Sequence, residues 1–207
     1  MTRIIAGLAG GRRLATTAGR STRPTSDRTR EGLFSTVTAI RGGLAGATVL
    51  DLYAGSGAVG LEALSRGASD VLMVESDVRA ARVISKNVAT VGLPGARLVT
   101  GKVDRVLDRG PEDGTPPRDF VFADPPYAMT GDDLTRMLAV LAGRAWLAPG
   151  ALVVLERATR AEPPAWPPGY ETDRSRRYGE ATLWYGLAAG AQSAATSRRE
   201  SEPECGE

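Results

Sequence analysis

The amino-acid sequence predicts an α/β fold: a mostly parallel sheet with helices on both faces. Two observations predict it. From Thr48 onward, short apolar runs rich in β-branched or aromatic residues alternate with longer stretches of helical periodicity. The first of those runs ends in a glycine-rich turn, Gly55-Ser56-Gly57-Ala58-Val59-Gly60, whose G-x-G-x-x-G spacing lets a backbone approach a nucleotide closely. At 207 residues the chain has the size of one domain with a small extension, enough to bury its own core.

The elements follow in order. Arg3-Ile4-Ile5-Ala6 and Arg12-Arg13-Leu14-Ala15 flank a turn holding Gly7, Gly10 and Gly11, which reads as a small hairpin. Arg23-Pro24-Thr25 is extended and stops at a helix start, where Ser26 or Asp27 can serve as cap. That helix is expected to run to about Ile40, with Leu33, Phe34, Val37 and Ile40 on one face, and to end at Gly42 and Gly43. Strands are expected at Thr48–Tyr53, Val71–Glu75, Leu98–Thr100, Phe120–Asp124 and Leu152–Glu156. Helices are expected at Ala58–Arg66, Val78–Val91 and Asp132–Ala142, the first two closed by Gly67 and Gly92. Proline marks Arg109–Arg118 and Ala161–Tyr170 as surface loops. Arg174–Tyr178 and Ala181–Tyr185 pair across Gly179 as an antiparallel edge. The predicted division is a hairpin-and-helix extension over residues 1–41, a main domain over 42–186, and an aperiodic, disordered tail over 187–207.

Composition removes whole classes of chemistry. There is one cysteine, Cys205, and no histidine, so disulfide frameworks, Cys/His zinc sites and Ser-His-Asp or Cys-His nucleophiles are excluded. No metal is expected. No apolar run reaches the roughly 20 residues that span a bilayer, and no signal-peptide core opens the chain. A soluble, cytoplasmic protein is expected, by default a monomer. The net charge of +2 is unevenly placed: residues 1–30 carry +6 and the remainder −4. Arginines gathered at one end are an electrostatic footprint for a polyanion, although a solvated charged arm would look the same.

The glycine turn by itself suits any adenosine-bearing cofactor. Glycines admit the backbone, and Glu75, at the end of the second strand, can grip ribose hydroxyls. Asp51 tilts the choice. Its carboxylate can face the cationic amino end of a bound methionine, whereas a pyrophosphate wants bare amides and a helix N-terminus. A strand-end Asp that merely caps the turn is the plainer alternative.

The second motif is Phe120-Val121-Phe122-Ala123-Asp124-Pro125-Pro126-Tyr127. Two prolines stiffen the turn and leave carbonyls unpaired. Asp124 and the Pro125 carbonyl are acceptors, and Tyr127 is a flat stacking face. Together they suit an amino group attached to a planar ring. An ionised Asp accepts only, so it matches guanine's two donors, N1–H and the N2 amine, at least as well as adenine's one.

Asp124-Pro125-Pro126-Tyr127 after a fourth strand resembles the catalytic motif of the S-adenosylmethionine-dependent amino-group methyltransferases. Three blocks occur together: Arg23-Pro24-Thr25-Ser26-Asp27-Arg28-Thr29-Arg30-Glu31, the stretch from Asp51 to Ala68, and Asp124–Tyr127. In this order and spacing they closely resemble the RsmD family, bacterial enzymes that methylate a guanine N2 in small-subunit (16S) ribosomal RNA. The resemblance covers about residues 1–186. It implies a Rossmann-like class I methyltransferase fold of seven strands with a reversed final hairpin, and a substrate within a 30S subunit or assembly intermediate. It implies that Asp51, Tyr53, Ala54, Gly55, Ser56 and Gly57 line the methionine and ribose, that Glu75 takes the ribose hydroxyls, and that Val103 lies beside the adenine. Asp124, Pro125, Pro126 and Tyr127 would hold the guanine, with Asp124 also facing the cofactor. Lys102 departs from the pattern: it cannot accept a hydrogen bond from the adenine amine, which leaves that contact to backbone groups of Lys102 and Val103. Arg3, Arg12, Arg13, Arg23, Arg28 and Arg30 are expected on RNA phosphates. The competing readings are an adenine-N6 DNA methyltransferase, which would lack a target-recognition domain here, a nicotinamide-dependent oxidoreductase, which leaves Asp124–Tyr127 idle, and a non-catalytic RNA-binding protein of the same fold.

Overall fold

The computed structural model describes residues 2–16 and 26–189. Among these residues, nine strands and five helices follow one another: β1 (Thr2–Arg3), β2 (Arg13–Leu14), α1 (Asp27–Arg41), β3 (Thr48–Leu52), α2 (Ala58–Ser65), β4 (Asp70–Glu75), α3 (Val78–Val91), β5 (Ala96–Thr100), α4 (Val103–Arg109), β6 (Arg118–Ala123), α5 (Gly131–Gly143), β7 (Leu147–Ala158), β8 (Tyr170–Tyr178) and β9 (Ala181–Ala188). Seven of the strands form one sheet in the order β5-β4-β3-β6-β7-β9-β8. Strands β3 to β7 are parallel, and β9 runs antiparallel to both β7 and β8. The chain builds outward from β3 to β5, then crosses back to place β6 on the other side of β3. That reversal opens a crevice beyond the C-terminal ends of β3 and β6, where open α/β sheets bind ligands.

Side-chain alternation sorts the core into two layers. Val49, Val71, Met73, Phe120, Phe122, Leu152 and Val154 face one apolar cluster with Leu33, Phe34, Leu61 and Ile84 of α1, α2 and α3. Leu50, Leu52, Leu72, Val74, Val121, Ala123, Val153 and Leu155 face a second, with Leu107 of α4 and Leu134, Leu138 and Leu141 of α5. The period of two along each strand sets this division. Each fully buried side chain of this kind contributes about 1.5–3 kcal/mol.

Ser26 is the N-cap of α1, its hydroxyl accepting from Thr29 N, and Gly42 closes the helix at φ 77°. The hairpin pairs only Thr2 with Leu14 and Arg3 with Arg13, and it is fastened to the main domain by polar contacts. The buried Glu62 carboxylate of α2 accepts from Ile5 N at 2.6 Å and Ala6 N at 3.1 Å. Ile4, Ala9 and Leu14 join the same apolar cluster as the sheet, so the extension shares the core of the main domain.

Several boundaries differ from the sequence reading. Strand β6 begins at Arg118, inside the expected loop, because Arg118 pairs with Leu147 of β7. Helix α4 is not expected from sequence; at seven residues it is too short for periodicity to register, although Val103 and Leu107 are buried. Strand β9 reaches Ala188, into the segment expected to be tail, because Leu187 pairs with Leu152. Arg23-Pro24-Thr25, Cys205 and most of the expected tail lie outside the described residues.

Gly32 of α1 shows how the extension meets the sheet edge. A Cβ added there would lie 2.3 Å from the Tyr178 ring, at the end of β8. Gly→Ala inside a helix usually gains about 0.8–1 kcal/mol. Here Gly32→Ala is expected to cost about 1–3 kcal/mol through overpacking, measured by denaturant unfolding; a gain in stability would show that Tyr178 does not seat against α1.

Candidate active site

Strand β3 ends at Leu52, and the chain turns sharply. Tyr53 adopts φ 59°, one of two non-glycine residues with positive φ among those described. That conformation costs a residue with a Cβ about 1–2 kcal/mol, and such strain gathers at functional sites. Gly57 is the N-cap of α2 at φ 75°. A Cβ on Gly60 would meet Met73 at 2.9 Å and Val71 at 3.0 Å, so only glycine lets α2 lie this close to the sheet. The loop is fixed from several sides: Ala54 N donates to Val74 O at 3.0 Å, and Asn87 Nδ2 donates to Ser56 O at 2.9 Å.

Acidic side chains stand at the C-terminal ends of four neighbouring strands. Leu52 of β3 is in register with Val74 of β4 and Ala123 of β6, and Ala123 with Leu155 of β7. One residue further along, Glu75, Asp124 and Glu156 continue β4, β6 and β7, with Asp51 one step inward on β3. Asp51 Oδ2 accepts from Gly60 N at 2.8 Å, and Glu75 accepts from Gly55 N and from Asp77 N, each at 2.8 Å. Asp51 therefore serves as the buried anchor of the glycine turn, and Glu75 orients the loop beside it. Burial pushes the Asp51 carboxyl up to about 8, against a lowering contribution from the Gly60 hydrogen bond, with Glu75 adding to the rise. Burial likewise pushes Asp124 up to about 8, reinforced by the charges of Glu156 and Asp51.

Two cavities meet at Pro126. The larger, about 460 Å³, is lined by Tyr53, Ser76, Lys102, Val103, Asp104 and Pro126 among others, and reaches toward α5 at Asp133 and Met137. Tyr53 also brings its hydroxyl to Met137 Sδ at 3.7 Å. The smaller, about 230 Å³, takes in Asp124, Pro125, Pro126, Tyr127, Glu156 and Tyr178, with Ser26 and Thr29 from the start of α1. Tyr127 is 71% exposed at its mouth. Of the residues expected at a cofactor, Tyr53, Lys102 and Val103 line the larger cavity, and Asp124 lies in the smaller. Ala54, Gly55, Ser56 and Gly57 form the loop that joins β3 to α2, while Asp51 and Glu75 brace it.

Sequence reasoning missed Asp104 and Asp133 in the larger cavity. Asp104 sits two residues beyond Lys102, in the first turn of α4, and brings a carboxylate acceptor to the same cavity. Its place directly after the third strand-end turn was the available signal. Glu156 was missed because only the pairing of β6 with β7 brings it beside Asp124, and Tyr178 because only the pairing of β7, β9 and β8 brings it to the same cavity.

The expected phosphate-binding arginines divide. Arg30 is fully buried and donates to Arg3 O at 2.8 Å and Asp27 Oδ1 at 2.5 Å; with no exposed surface it cannot contact RNA, which corrects that expectation. Arg12 is exposed, but its Nη1 donates to Thr90 O at 3.1 Å and to Val91 O, at the C-terminal end of α3, where a cation complements the helix dipole. Arg3, Arg13 and Arg28 are exposed. Arg23 lies outside the described residues.

In chemical terms, an acid-lined loop beside a cavity of nucleoside size favours a cation over a pyrophosphate. The second cavity, rich in acceptors and walled by tyrosines, suits a planar base presenting N–H groups.

Comparison with known proteins agrees with this geometry. Residues 2–186 match the family model described as conserved hypothetical protein 95. Ribosomal RNA small subunit methyltransferase D of Escherichia coli K12 is 35% identical over 178 residues, covering 86% of this chain and 85% of its own. The protein of the same name from Haemophilus influenzae is 34% identical, covering 74% of this chain and 77% of its own. A solved Escherichia coli structure described as a candidate methyltransferase superposes with TM-score 0.76 at 31% identity, covering 90% of this chain and 97% of that one. The sheet order, the crevice and these matches make this a Rossmann-like class I methyltransferase fold.

With the Asp124 carboxyl raised from its ordinary 3.8 to about 8, the folded chain holds more protons than the unfolded chain across that range. Stability therefore falls as pH rises through it. Asp124→Asn removes the group, so its melting temperature is expected to exceed wild type at about pH 8.5, with the difference shrinking toward about pH 4. Thermal unfolding across pH checks this; an equal difference at both ends would contradict the raised carboxyl.

Proposed function

Since the chain belongs to the conserved hypothetical protein 95 family, that of the RsmD methyltransferases, we propose that it transfers a methyl group from S-adenosylmethionine to the exocyclic N2 of a guanine in 16S ribosomal RNA. The observation that carries this reading is the joining of two cavities at Pro126, with Asp51 and Glu75 behind the glycine loop on one side and Asp124 and Glu156 on the other. The residues present fit the cofactor. Acidic groups at the glycine loop favour a sulfonium and an ammonium over a dinucleotide pyrophosphate, whose negative charge they would oppose. Tyr53, Val103 and Asp104 would hold the adenosine end, and Glu75 the ribose hydroxyls.

When bound, S-adenosylmethionine supplies an electrophilic methyl group and a neutral thioether as its leaving group. The protein's work is alignment. Tyr127 stacks on the guanine, while Asp124 and the Pro125 carbonyl accept its N–H groups, which turns the N2 lone pair toward the methyl. Holding reactants in line in this way is worth up to about 7–11 kcal/mol. As the new N–C bond forms, N2 becomes acidic and its proton passes to the Asp124 carboxylate, so no histidine is required. With Asp124 ionised once the cationic cofactor is bound, guanine's two adjacent donors fit Asp124 and the Pro125 carbonyl, whereas adenine would turn its N1 acceptor toward one of them. The base must leave its stack to enter, at a cost of a few kcal/mol, which favours a loop nucleotide. We place the reaction in the cytoplasm, performed by a monomer on a 30S subunit or assembly intermediate.

Methyl transfer from labelled S-adenosylmethionine to undermethylated small subunits, followed by nucleoside analysis, is expected to give N2-methylguanosine. Asp124→Ala is expected to lower turnover by about 10²–10⁴-fold while cofactor still binds. Label on adenine would overturn the base assignment, and no label on rRNA or DNA would overturn the function.

A further inference from the structure

The smaller cavity is acidic inside, lined by Asp124, Glu156 and Glu180. A nucleic-acid strand delivering its base there needs cations outside to offset that charge. We infer that a rim of arginines around this mouth, Arg28, Arg157, Arg160, Arg176 and Arg177, holds the phosphates that flank the target nucleotide, in place of the N-terminal Arg12 and Arg30. The inference rests on the reading that the substrate is RNA.

Three observations place the rim. Ser26 and Thr29 line the cavity, which puts the exposed Arg28 at the same end of α1. Arg157 itself lines it, and the exposed Arg160 follows three residues later, past the end of β7. Strand β8 ends at Tyr178, whose ring forms part of the cavity and packs on Gly32. At about 3.3 Å per residue, the exposed Arg176 and Arg177 stand within about 7 Å of that rim along the strand. Successive residues project to opposite faces, so the two straddle the sheet edge. Arg174 is excluded because its charge is paired with Asp173; Arg157 and Arg177 each give one N–H to a carbonyl, Met129 O at 3.4 Å and Gly179 O at 3.2 Å, which leaves their charge and other donors for a phosphate.

The hairpin starts beside α1, where Thr2 Oγ1 donates to Asp27 Oδ1 at 3.4 Å and Arg3 O accepts from Arg30 at 2.8 Å, but its far strand runs away from the cavity. Helix α3 begins beside Glu75, where Asp77 N donates to the Glu75 carboxylate, and its 14 residues carry it about 20 Å away. Arg12 is engaged at that far end, on Thr90 O and Val91 O. Arg30 is inside the protein. The concentration of arginine in the first 30 residues therefore serves in part to fasten the extension, whereas the rim comes from α1, β7, the turn after it and β8.

The test is equilibrium binding of the full chain to undermethylated small subunits across a salt series, with wild type, an Arg176→Gln/Arg177→Gln variant and an Arg3→Gln/Arg13→Gln variant. Each phosphate contact contributes about 0.7–0.9 to the slope of log K against log salt. The β8 variant is expected to bind more weakly and to lose about 1.4–1.8 of that slope, with unaltered melting temperature and S-adenosylmethionine affinity. An unchanged slope in the β8 variant, or the same loss appearing in the hairpin variant instead, would overturn the rim. Wild-type protein that binds RNA with the expected β8 dependence yet yields no methylated nucleoside would overturn the function and support the rim.

Discussion

Four neighbouring parallel strands each bring one carboxyl group to the same end of the sheet, and the charge held there organises the rest of the site. Glu75, Asp124 and Glu156 lie one residue beyond a shared register row, and Asp51 lies one residue before it. Left alone, such a row is unfavourable: burial and mutual repulsion push Asp51 and Asp124 up to about 8. The fold tolerates this cost because backbone N–H groups satisfy the acids that shape the loop. Gly60 N–H serves Asp51, and Gly55 and Asp77 N–H serve Glu75. On the proposed function, a cationic cofactor and a donor-rich base would each relieve the same repulsion from opposite sides of Pro126, so that binding energy and catalytic alignment would draw on one electrostatic source.

The backbone is arranged around that row. Tyr53 accepts a left-handed conformation at the end of β3, turning the chain into the glycine loop and presenting its ring to the larger cavity. Gly60 lets α2 press against Met73 and Val71, which brings its N–H to Asp51. Pro125 and Pro126 stiffen the turn after β6, so Asp124 and Tyr127 are held by the chain's geometry more than by packing. The N-terminal extension completes the second cavity from outside, with Ser26 and Thr29 facing Tyr178 and Glu156 across it.

Much of this was legible in the sequence because it is local. The Asp51–Gly60 turn and Asp124–Tyr127 are contiguous motifs whose residue types state their chemistry, and strand–helix alternation was enough to place both at strand ends. What escaped was long-range or short. Glu156 reaches the cavity only through the pairing of β6 with β7 and Tyr178 only through that of β7, β9 and β8, and α4 has too few residues to show a period. The arginines illustrate a different limit. Composition showed a basic N-terminus, but it could not distinguish Arg30, buried against Asp27 and Arg3 O, from Arg28 two residues earlier and exposed. A count of charge does not say which face of a helix is covered.

Proton release on cofactor binding tests the central claim most directly. Calorimetric titration of S-adenosylmethionine at neutral pH, in buffers of different ionisation heats, counts the protons released. With Asp51 and Asp124 largely protonated in the free protein, a cation entering beside them should lower their pKa values and release protons to buffer. Release that diminishes as pH rises well above about 8 is the result this account predicts. Binding with no proton release, or tighter binding of a nicotinamide dinucleotide than of S-adenosylmethionine, would contradict it.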